Sequence, residues 1–292
     1  MQIAMNLQFF GGRGAKSDKS GATLSKIQPE SSYMQDVQSD FEWILNIIAK
    51  HGGINYNIVN ITENDLQIME EKMRKMTNSS DIHVGIRFDP KNLEEIINSG
   101  RFKSQFETGT SGGILDTQRR SDLEKRSMGY SLNLSPKDRP IYGMLFEGKN
   151  TSKIKISEAG GKHYGEAVAI LKPSVKTHST VTFYDSLDLD GSIQPSPLLK
   201  PSRYSIPTRE GHGFRTADFI EEFYHASKSK QPMKLNKLNK RTKTPYVEVQ
   251  IHGGKAKVSN IEQIIFPRGT PKSLIPIEIL RKNNIKWSIE RK

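Results

Sequence analysis

The strongest constraint on the fold is the stretch from Pro245 to Gly253, which reads Pro-Tyr-Val-Glu-Val-Gln-Ile-His-Gly. Aliphatic residues alternate with polar ones, and this period of two predicts a strand with one apolar and one polar face. An exposed edge strand has the same alternation, but solvated faces more often carry Lys, Glu, Thr and Ser. We therefore predict a functional site on the polar face, which holds Tyr246, Glu248, Gln250 and His252.

Strand-like segments outnumber helical ones in the rest of the chain, and the helices cluster early. The predicted helices cover residues 41–48, 62–76, 92–99, 214–225 and 277–282. The other predicted strands cover residues 82–88, 128–134, 141–146, 167–171, 180–184, 258–266 and 285–289. This order predicts an α+β fold in which N-terminal helices precede a mostly antiparallel β core. We divide the chain into a disordered or docking tail (1–35), a helical region (36–80) and a main domain (81–292).

The charge balance favours a polyanionic partner. The net charge is +12, from 44 Lys+Arg against 32 Asp+Glu, and segment 228–243 contains seven basic residues and no acid. We predict that this segment is a mobile, solvated loop that contacts DNA or an acidic protein, without aromatic side chains for base stacking. The absence of cysteine excludes disulfides and thiol catalysis. No apolar run approaches the roughly 20 residues of a membrane helix.

Two further segments carry candidate ligand contacts. Thr110 and Ser111 lie in a Gly/Ser/Thr-rich loop at 105–113, which can turn amides and hydroxyls toward an anionic or sugar ligand. Such loops are also common as linkers. His83 and Arg87 share a strand face with Gly85, whose missing side chain leaves room for a ligand. Arg87 is either a ligand-binding cation or a surface residue paired with an acid.

Parts of the sequence resemble phage proteins. The opening Met5–Ala15 resembles the leader of proteins from the head-morphogenesis gene clusters of tailed phages of Gram-positive bacteria. Residues 104–113, the Leu171–Ser186 stretch and residues 246–253 together resemble a bacterial family known as domain of unknown function three-six-two-six. The first resemblance implies a phage context, and the second names no activity.

A wider resemblance is to mono-ADP-ribosyltransferases, which draw a cation from an early strand, Ser/Thr from a middle strand and Glu from a late strand. In that order, this chain offers His83 or Arg87, then Thr180 and Thr182, then Glu248. The resemblance implies an ADP-ribosyltransferase-like core in residues 81–292, with NAD as the donor and a host macromolecule as the acceptor. It also implies toxin-like action in the host cytoplasm, with or without packaging in the virion.

The chemistry of NAD cleavage assigns roles to these residues. Breaking the bond between nicotinamide and ribose develops positive charge on the ribose, which Glu248 can stabilise through the 2′-hydroxyl. The cation or donor from the early strand holds phosphate or ribose, Thr180 and Thr182 shape the pocket, and Tyr142 or Tyr184 stacks on nicotinamide. The transferase pattern places the catalytic Glu last in its triplet, whereas Glu248 precedes Gln250 here. Either Glu248 acts in a shifted register with Gln250 beside it, or the strand is a non-catalytic relative.

Two other hypotheses stay open. The chain could be a minor head or ejected protein that binds DNA or capsid through segment 228–243 and catalyses nothing. It could also be a hydrolase that uses Glu107, His252 and Glu248. His252 has no second His at ligand spacing, so a hydrogen-bonded His at the end of a strand is favoured over a metal ligand. Convergence of Arg87, Thr182 and Glu248 on one cleft would favour the transferase.

Overall fold

The computed structural model describes residues 63–109, 117–128, 130–131, 133–186, 195–206, 222–226, 228–242 and 246–291. Eight strands form one sheet in the order β5-β4-β6-β2-β1-β3-β7-β8, and every pairing is antiparallel except that of β7 with β8. The strands are β1 Ile82–Phe88, β2 Ile141–Glu147, β3 Ala167–Leu171, β4 Ser179–Thr182, β5 Ser196–Pro197, β6 Glu248–Ile251, β7 Ile261–Phe266 and β8 Lys286–Ile289. The predicted α+β class with a mostly antiparallel sheet is confirmed. The ADP-ribosyltransferase-like type and the domain boundaries stay predictions.

Six of the described helices support this sheet. They are α1 Glu63–Asn78, α2 Leu93–Ser99, α3 Gln105–Thr108, α4 Thr117–Met128, α5 Leu235–Thr242 and α6 Ile277–Lys282. Helix α2 ends at Gly100, which adopts a left-handed φ of 73° and donates its amide to Ile97. None of the helices in the described ranges is long and apolar enough to cross a membrane.

The main hydrophobic core lies on one face of the sheet. Strand β6 contributes Val249 and Ile251 to this core, and helix α1 contributes the fully buried Met69 and Met73. The two methionines lie four residues apart, so they form one stripe along the helix. Truncation of a buried methionine to alanine typically costs about 2–5 kcal/mol of unfolding free energy. This stripe therefore anchors α1 against the core.

The opposite face of the sheet is divided into an apolar half and a polar half. Around β3, β7 and the C-terminal part of β2 it carries a small apolar cluster that includes Phe146, Val168 and Ile170. Around β4, β6 and β2 it carries polar side chains, because Thr180 pairs with Gln250 and Thr182 pairs with Glu248 across the ladder. Strand β6 pairs with β2 on one side and β4 on the other, so it is not an edge strand. Its polar residues are buried beneath other elements.

Two sequence-based predictions about secondary structure are wrong. Residues 128–134 were expected to form a strand, but α4 continues to Met128 and none of the described residues that follow it in this range is in a strand. Segment 228–243 was expected to be a mobile loop, but it contains α5, whose Leu235 and Leu238 are buried. An amphipathic helix gains more by burying these leucines than a solvated loop would. The predicted tail 1–35 and helix 41–48 lie outside the described residues.

Candidate functional site

A cavity of about 830 Å³ opens at the polar half of the sheet. Residues of β1, β2, β6, α2, α3 and α4 line it, together with the turn at 162–165 and the segments 89–92 and 101–104. Five polar side chains of the lining are called the inner wall below, namely the buried Arg120, Glu124, Tyr246 and Glu248 and the half-buried Tyr142. A volume in this range suits a small-molecule ligand.

Glu248 is a buried carboxyl group in the inner wall. Ser186 Oγ and Gln250 Nε2 each donate a hydrogen bond of 2.6 Å to the same oxygen, Oε1. Burial raises the pKa of Glu248 to about 8, and the neighbouring Asp185 adds to this rise. Arg120, Ser186 and Gln250 act in the opposite direction. Glu248 therefore changes its charge slightly above neutral pH, where a catalytic acid or base is most effective.

Behind Glu248, the polar residues of β6 and β4 hydrogen-bond to one another. Thr180 Oγ1 lies 2.8 Å from Gln250 Oε1 and 2.8 Å from His252 Nε2. Gln250 Nε2 also donates to Thr182 Oγ1 at 3.1 Å. All of these side chains are buried, and none of them lines the described cavity. They support Glu248 from behind.

Helix α4 covers the polar half with charged residues. Glu124 accepts hydrogen bonds from Arg139 Nη1 at 2.7 Å and from the Tyr142 hydroxyl at 2.9 Å. Burial still raises the pKa of Glu124 above its ordinary value, although Arg139 and Arg120 oppose the rise. The guanidinium of Arg120 lies over the Tyr142 ring, 4.1 Å from its centre. Burial alone would lower the pKa of Arg120, but Tyr142, Glu248 and Glu124 outweigh it and raise the value.

Arg120 and Gln105 bring donors to the cavity that have no acceptor within the described part of the chain. Arg120 is 4% exposed, and its Nε and Nη1 atoms have no hydrogen-bond partner there. Gln105 Nε2, from helix α3, is buried and likewise has none. Buried donors are almost always satisfied in folded proteins. Both residues line the cavity, so a ligand that supplies acceptor oxygens would satisfy them.

A tyrosine cluster forms another part of the site. The Tyr246 hydroxyl donates to Asp185 Oδ2, and the Tyr164 hydroxyl lies 3.4 Å from the same atom. The two hydroxyl oxygens are 3.3 Å apart. Burial raises the pKa of both tyrosines, and Asp185 adds to the rise, so both keep their protons as donors.

The structure brings together some of the residues that the sequence singled out. Glu248, Tyr142 and Arg87 line the cavity, whereas Thr180, Thr182 and Gln250 lie behind Glu248. Tyr142 carries the Arg120 guanidinium over one face of its ring. Thr110 and Ser111 lie outside the described residues.

His83 and Arg87 bind backbone in the structure. His83 Nε2 lies 2.9 Å from the carbonyl oxygen of Gly148 and does not reach the cavity. The Arg87 guanidinium donates to the carbonyls of Ile156, Ala159, Gly160 and Gly165. Burial lowers the pKa of Arg87 to about 10 against the opposing effect of Glu290. Because Arg87 holds the 156–165 segment, we leave it out of the ligand site.

The residues of the hydrolase hypothesis do not meet in the cavity. Glu107 forms an ion pair with Arg101 and caps helix α3. His252 is buried against Thr180 and Tyr130, and neither Glu107 nor His252 lines the cavity. Within the part of the chain that the structure describes, no group of three His, Cys, Asp or Glu residues could hold a metal ion.

Sequence reasoning missed Arg120 and Glu124. Both lie in a charged run of mixed sign at 117–126, a pattern that is typical of a solvated helix or loop. The available signal was their spacing, because Arg120 and Glu124 are four residues apart and share one helix face. It also missed the pairing of Glu124 with Arg139, which lies 15 residues further along the chain.

The model of a protein family, described as "Protein of unknown function (DUF3626)", matches residues 89–271. The chain belongs to this family. The matched region includes the inner wall but starts after Arg87. The chain is also similar to the "Gene 2 protein" of Mycobacterium phage D29, with 27% identity over 229 residues, or 77% of each chain. The "Gene 2 protein" of Mycobacterium phage L5 is 29% identical over 230 residues, which cover 76% of this chain and 77% of the relative. These relatives support a bacteriophage origin.

Proposed function

We propose that this chain is an ADP-ribosyltransferase-like enzyme that transfers ADP-ribose from NAD to a host macromolecule. The observation that carries the proposal is Glu248, a carboxyl group in the cavity wall with one oxygen held by Ser186 and Gln250. The reaction requires one negative charge beside the ribose, and Glu248 supplies it in the ionised form.

In the proposed reaction, nicotinamide leaves the ribose and Glu248 stabilises the positive charge that develops there. As the bond between ribose C1′ and the nicotinamide nitrogen breaks, its electron pair leaves with nicotinamide, which departs as a neutral molecule. The positive charge that develops on the ribose is stabilised by the Glu248 carboxylate, directly or through the 2′-hydroxyl. A nucleophilic atom of the acceptor then bonds to C1′ and releases its proton to water.

The unsatisfied donors of Arg120 and Gln105 support a nucleotide ligand. Nucleotides carry phosphate and carbonyl oxygens, which accept hydrogen bonds from guanidinium and amide groups. The same cavity wall offers Glu248 as an acceptor for a hydroxyl group. A ligand that presents both hydroxyls and acceptor oxygens, as NAD does, fits this mixed wall better than an apolar ligand.

The experiment compares wild type with Glu248→Gln for release of nicotinamide and for transfer of labelled ADP-ribose in host extract. We expect the variant to lose at least about 10²-fold in rate, because the amide cannot carry the charge. Glu278→Gln is the matched control, since Glu278 is exposed and pairs with Arg281 on helix α6. Equal rates for wild type and Glu248→Gln, or no nicotinamide release by wild type, would contradict the proposal.

The pH dependence gives a second test. The reaction needs ionised Glu248, and its pKa is raised to about 8. The rate should therefore rise with pH and reach half its maximum near pH 8. A rate already at its plateau at pH 6 would show that Glu248 is not the group whose charge matters.

A second candidate function, binding of DNA or capsid in the virion, is favoured by helix α5. Leu235 and Leu238 are buried, while Lys234, Lys237 and Lys240 are exposed. This arrangement presents a basic surface from a packed helix, which suits contact with phosphates. Binding to double-stranded DNA that weakens steeply with salt, together with no NAD cleavage, would favour this candidate.

A further inference from the structure

A continuous chain of buried side chains connects Tyr130 to Glu248. The Tyr130 hydroxyl forms a hydrogen bond with His252 Nδ1, and His252 Nε2 lies 2.8 Å from Thr180 Oγ1. Thr180 Oγ1 lies 2.8 Å from Gln250 Oε1, and Gln250 Nε2 lies 2.6 Å from Glu248 Oε1. The first member follows helix α4 in the sequence, and the last lies on strand β6.

The orientation of the Gln250 amide is fixed from a second side. Thr182 Oγ1 donates its hydrogen to the carbonyl oxygen of Tyr184 at 2.9 Å. A hydroxyl has only one hydrogen, so Thr182 must accept the bond from Gln250 Nε2. A flipped amide would place its oxygen against the Thr182 oxygen with no hydrogen between them. Gln250 therefore presents its NH₂ group to Thr182 and Glu248.

The orientation of the Gln250 amide determines the donor and the acceptor of every hydrogen bond between Tyr130 and Glu248. Gln250 Oε1 can only accept, so the Thr180 hydroxyl donates to it. Thr180 then has no hydrogen left for His252 and must accept from His252 Nε2–H. Burial, with a contribution from His178, lowers the pKa of His252 to about 3, so the ring is neutral. A neutral ring protonated on Nε2 has a bare Nδ1, which accepts from Tyr130.

We propose that this row of hydrogen bonds, in which every donor and acceptor is fixed, keeps Glu248 Oε1 in place as an acceptor. Oε2 is then the oxygen that gains and loses the proton and contacts the ligand. Oε1 already accepts from Gln250 and from Ser186 Oγ. Oε2 accepts no hydrogen bond from the residues that the structure describes, and Glu248 lines the cavity. An oxygen that accepts two hydrogen bonds is a poor site for a proton, so the proton of the neutral acid resides on Oε2.

Tyr130, His252, Thr180 and Gln250 are thus positioning residues, which act only through Glu248. The charged groups that face Glu248 from other elements are Arg120 on α4 and Asp185 after β4. Arg120 and Asp185 change the pKa of the carboxyl group as a whole. The hydrogen bonds from Gln250 and Ser186, in contrast, reach Oε1 alone. That Oε2 meets a ribose rests on the proposed function, but the direction of the chain does not.

The first test is the tautomer of His252 in the full-length wild-type protein. Nitrogen-15 NMR distinguishes a protonated ring nitrogen from a bare one. We expect a protonated Nε2 and a bare Nδ1, unchanged between about pH 5 and pH 9, because the ring stays neutral. A proton on Nδ1 would reverse the direction of the chain and overturn the proposal.

The second test is the pKa of the Glu248 carboxyl, followed by carbon-13 NMR without NAD and assigned with Glu248→Gln. Thr180→Val preserves the shape of the side chain but removes the hydrogen bond to Gln250 Oε1. Thr182 still sets which way the amide faces, but the amide loses one of the contacts that hold it in place. The bond from Gln250 to the Glu248 carboxylate should weaken, so we expect the pKa of Glu248 to rise by about one unit. Thr180→Ser restores the hydroxyl and should return the pKa to its wild-type value.

The outcomes separate this inference from the proposed function. A folded Thr180→Val protein with an unchanged pKa of Glu248 would overturn the positioning role. If Thr180→Val fails to fold, the His252 tautomer in wild type still decides. If the His252 tautomer and the pKa shift are as expected but the protein does not cleave NAD, the proposed function is refuted, whereas the hydrogen-bonded arrangement from Tyr130 to Glu248 is supported.

Discussion

The two faces of strand β6 are equally buried and chemically opposite. Val249 and Gln250 are both 0% exposed, yet Val249 packs in the main core and Gln250 takes part in three hydrogen bonds on the other face. An apolar side chain is stabilised by burial alone, whereas an amide buried without partners costs about 1–3 kcal/mol. The apolar face therefore supports the fold. The polar face needs a complete network merely to be tolerated, which points to a role in function.

The largest loss of stability should come from Glu124→Gln, which removes an ion pair between helix α4 and Arg139 over the polar face of β6. The change removes the negative charge that pairs with Arg139, which is 5% exposed. Removing one partner of a buried ion pair typically costs about 3–5 kcal/mol. Urea unfolding at pH 8 measures the loss. The exposed pair of Glu278 and Arg281 is the control, and Glu278→Gln should cost less than about 1 kcal/mol. Similar small losses in both variants would show that α4 does not depend on its ion pair.

Arg87→Lys tests the boundary between the polar and apolar halves. The sequence-based hypothesis predicts at least about tenfold weaker NAD binding with no loss of stability, since Lys lacks the fork that holds a phosphate. The structure leads us to expect the reverse, because a lysine cannot reach all four carbonyls that Arg87 binds. Each carbonyl left unsatisfied costs about 1–3 kcal/mol. We expect a loss of about 2 kcal/mol in unfolding free energy.

Two measurements on the same Arg87→Lys protein decide between these expectations. Thermal unfolding reports its stability, and titration calorimetry reports its NAD affinity. A tenfold weaker affinity with unchanged stability would return Arg87 to the ligand site.

Val249→Thr tests the apolar face of β6 directly. The two side chains have nearly the same shape, but threonine places a hydroxyl in the main core. Without a partner, the hydroxyl should cost about 1–3 kcal/mol of unfolding free energy, measured by urea denaturation. NAD cleavage should be unchanged in the folded variant, because the polar face is untouched. Loss of cleavage without loss of stability would mean that the two faces do not act separately.

Local patterns predicted the parts of the fold that depend on local physics. Strand β1 and helix α2 were predicted at 82–88 and 92–99, and the structure has them at Ile82–Phe88 and Leu93–Ser99. Glu248 and Tyr142 were identified because a polar face on a predicted strand is visible in the sequence. The burial of Arg120 and Glu124 was not visible, because a charged run is typical of an exposed helix. Their burial depends on contacts with Tyr142 and Arg139, which no local pattern encodes.

The smallest effect on stability should come from Lys237→Ala on helix α5. Segment 228–243 was expected to be mobile, but Leu235 and Leu238 pack α5 into the core while Lys237 points outward. Replacing an exposed lysine should change unfolding free energy by no more than about 0.5 kcal/mol. Leu238→Ala is the control and should cost about 2–5 kcal/mol. If α5 contacts DNA, the lysine change should instead reduce the slope of log affinity against log salt by about one. Fluorescence anisotropy at several salt concentrations measures that slope, and an unchanged slope would remove Lys237 from any DNA-binding surface.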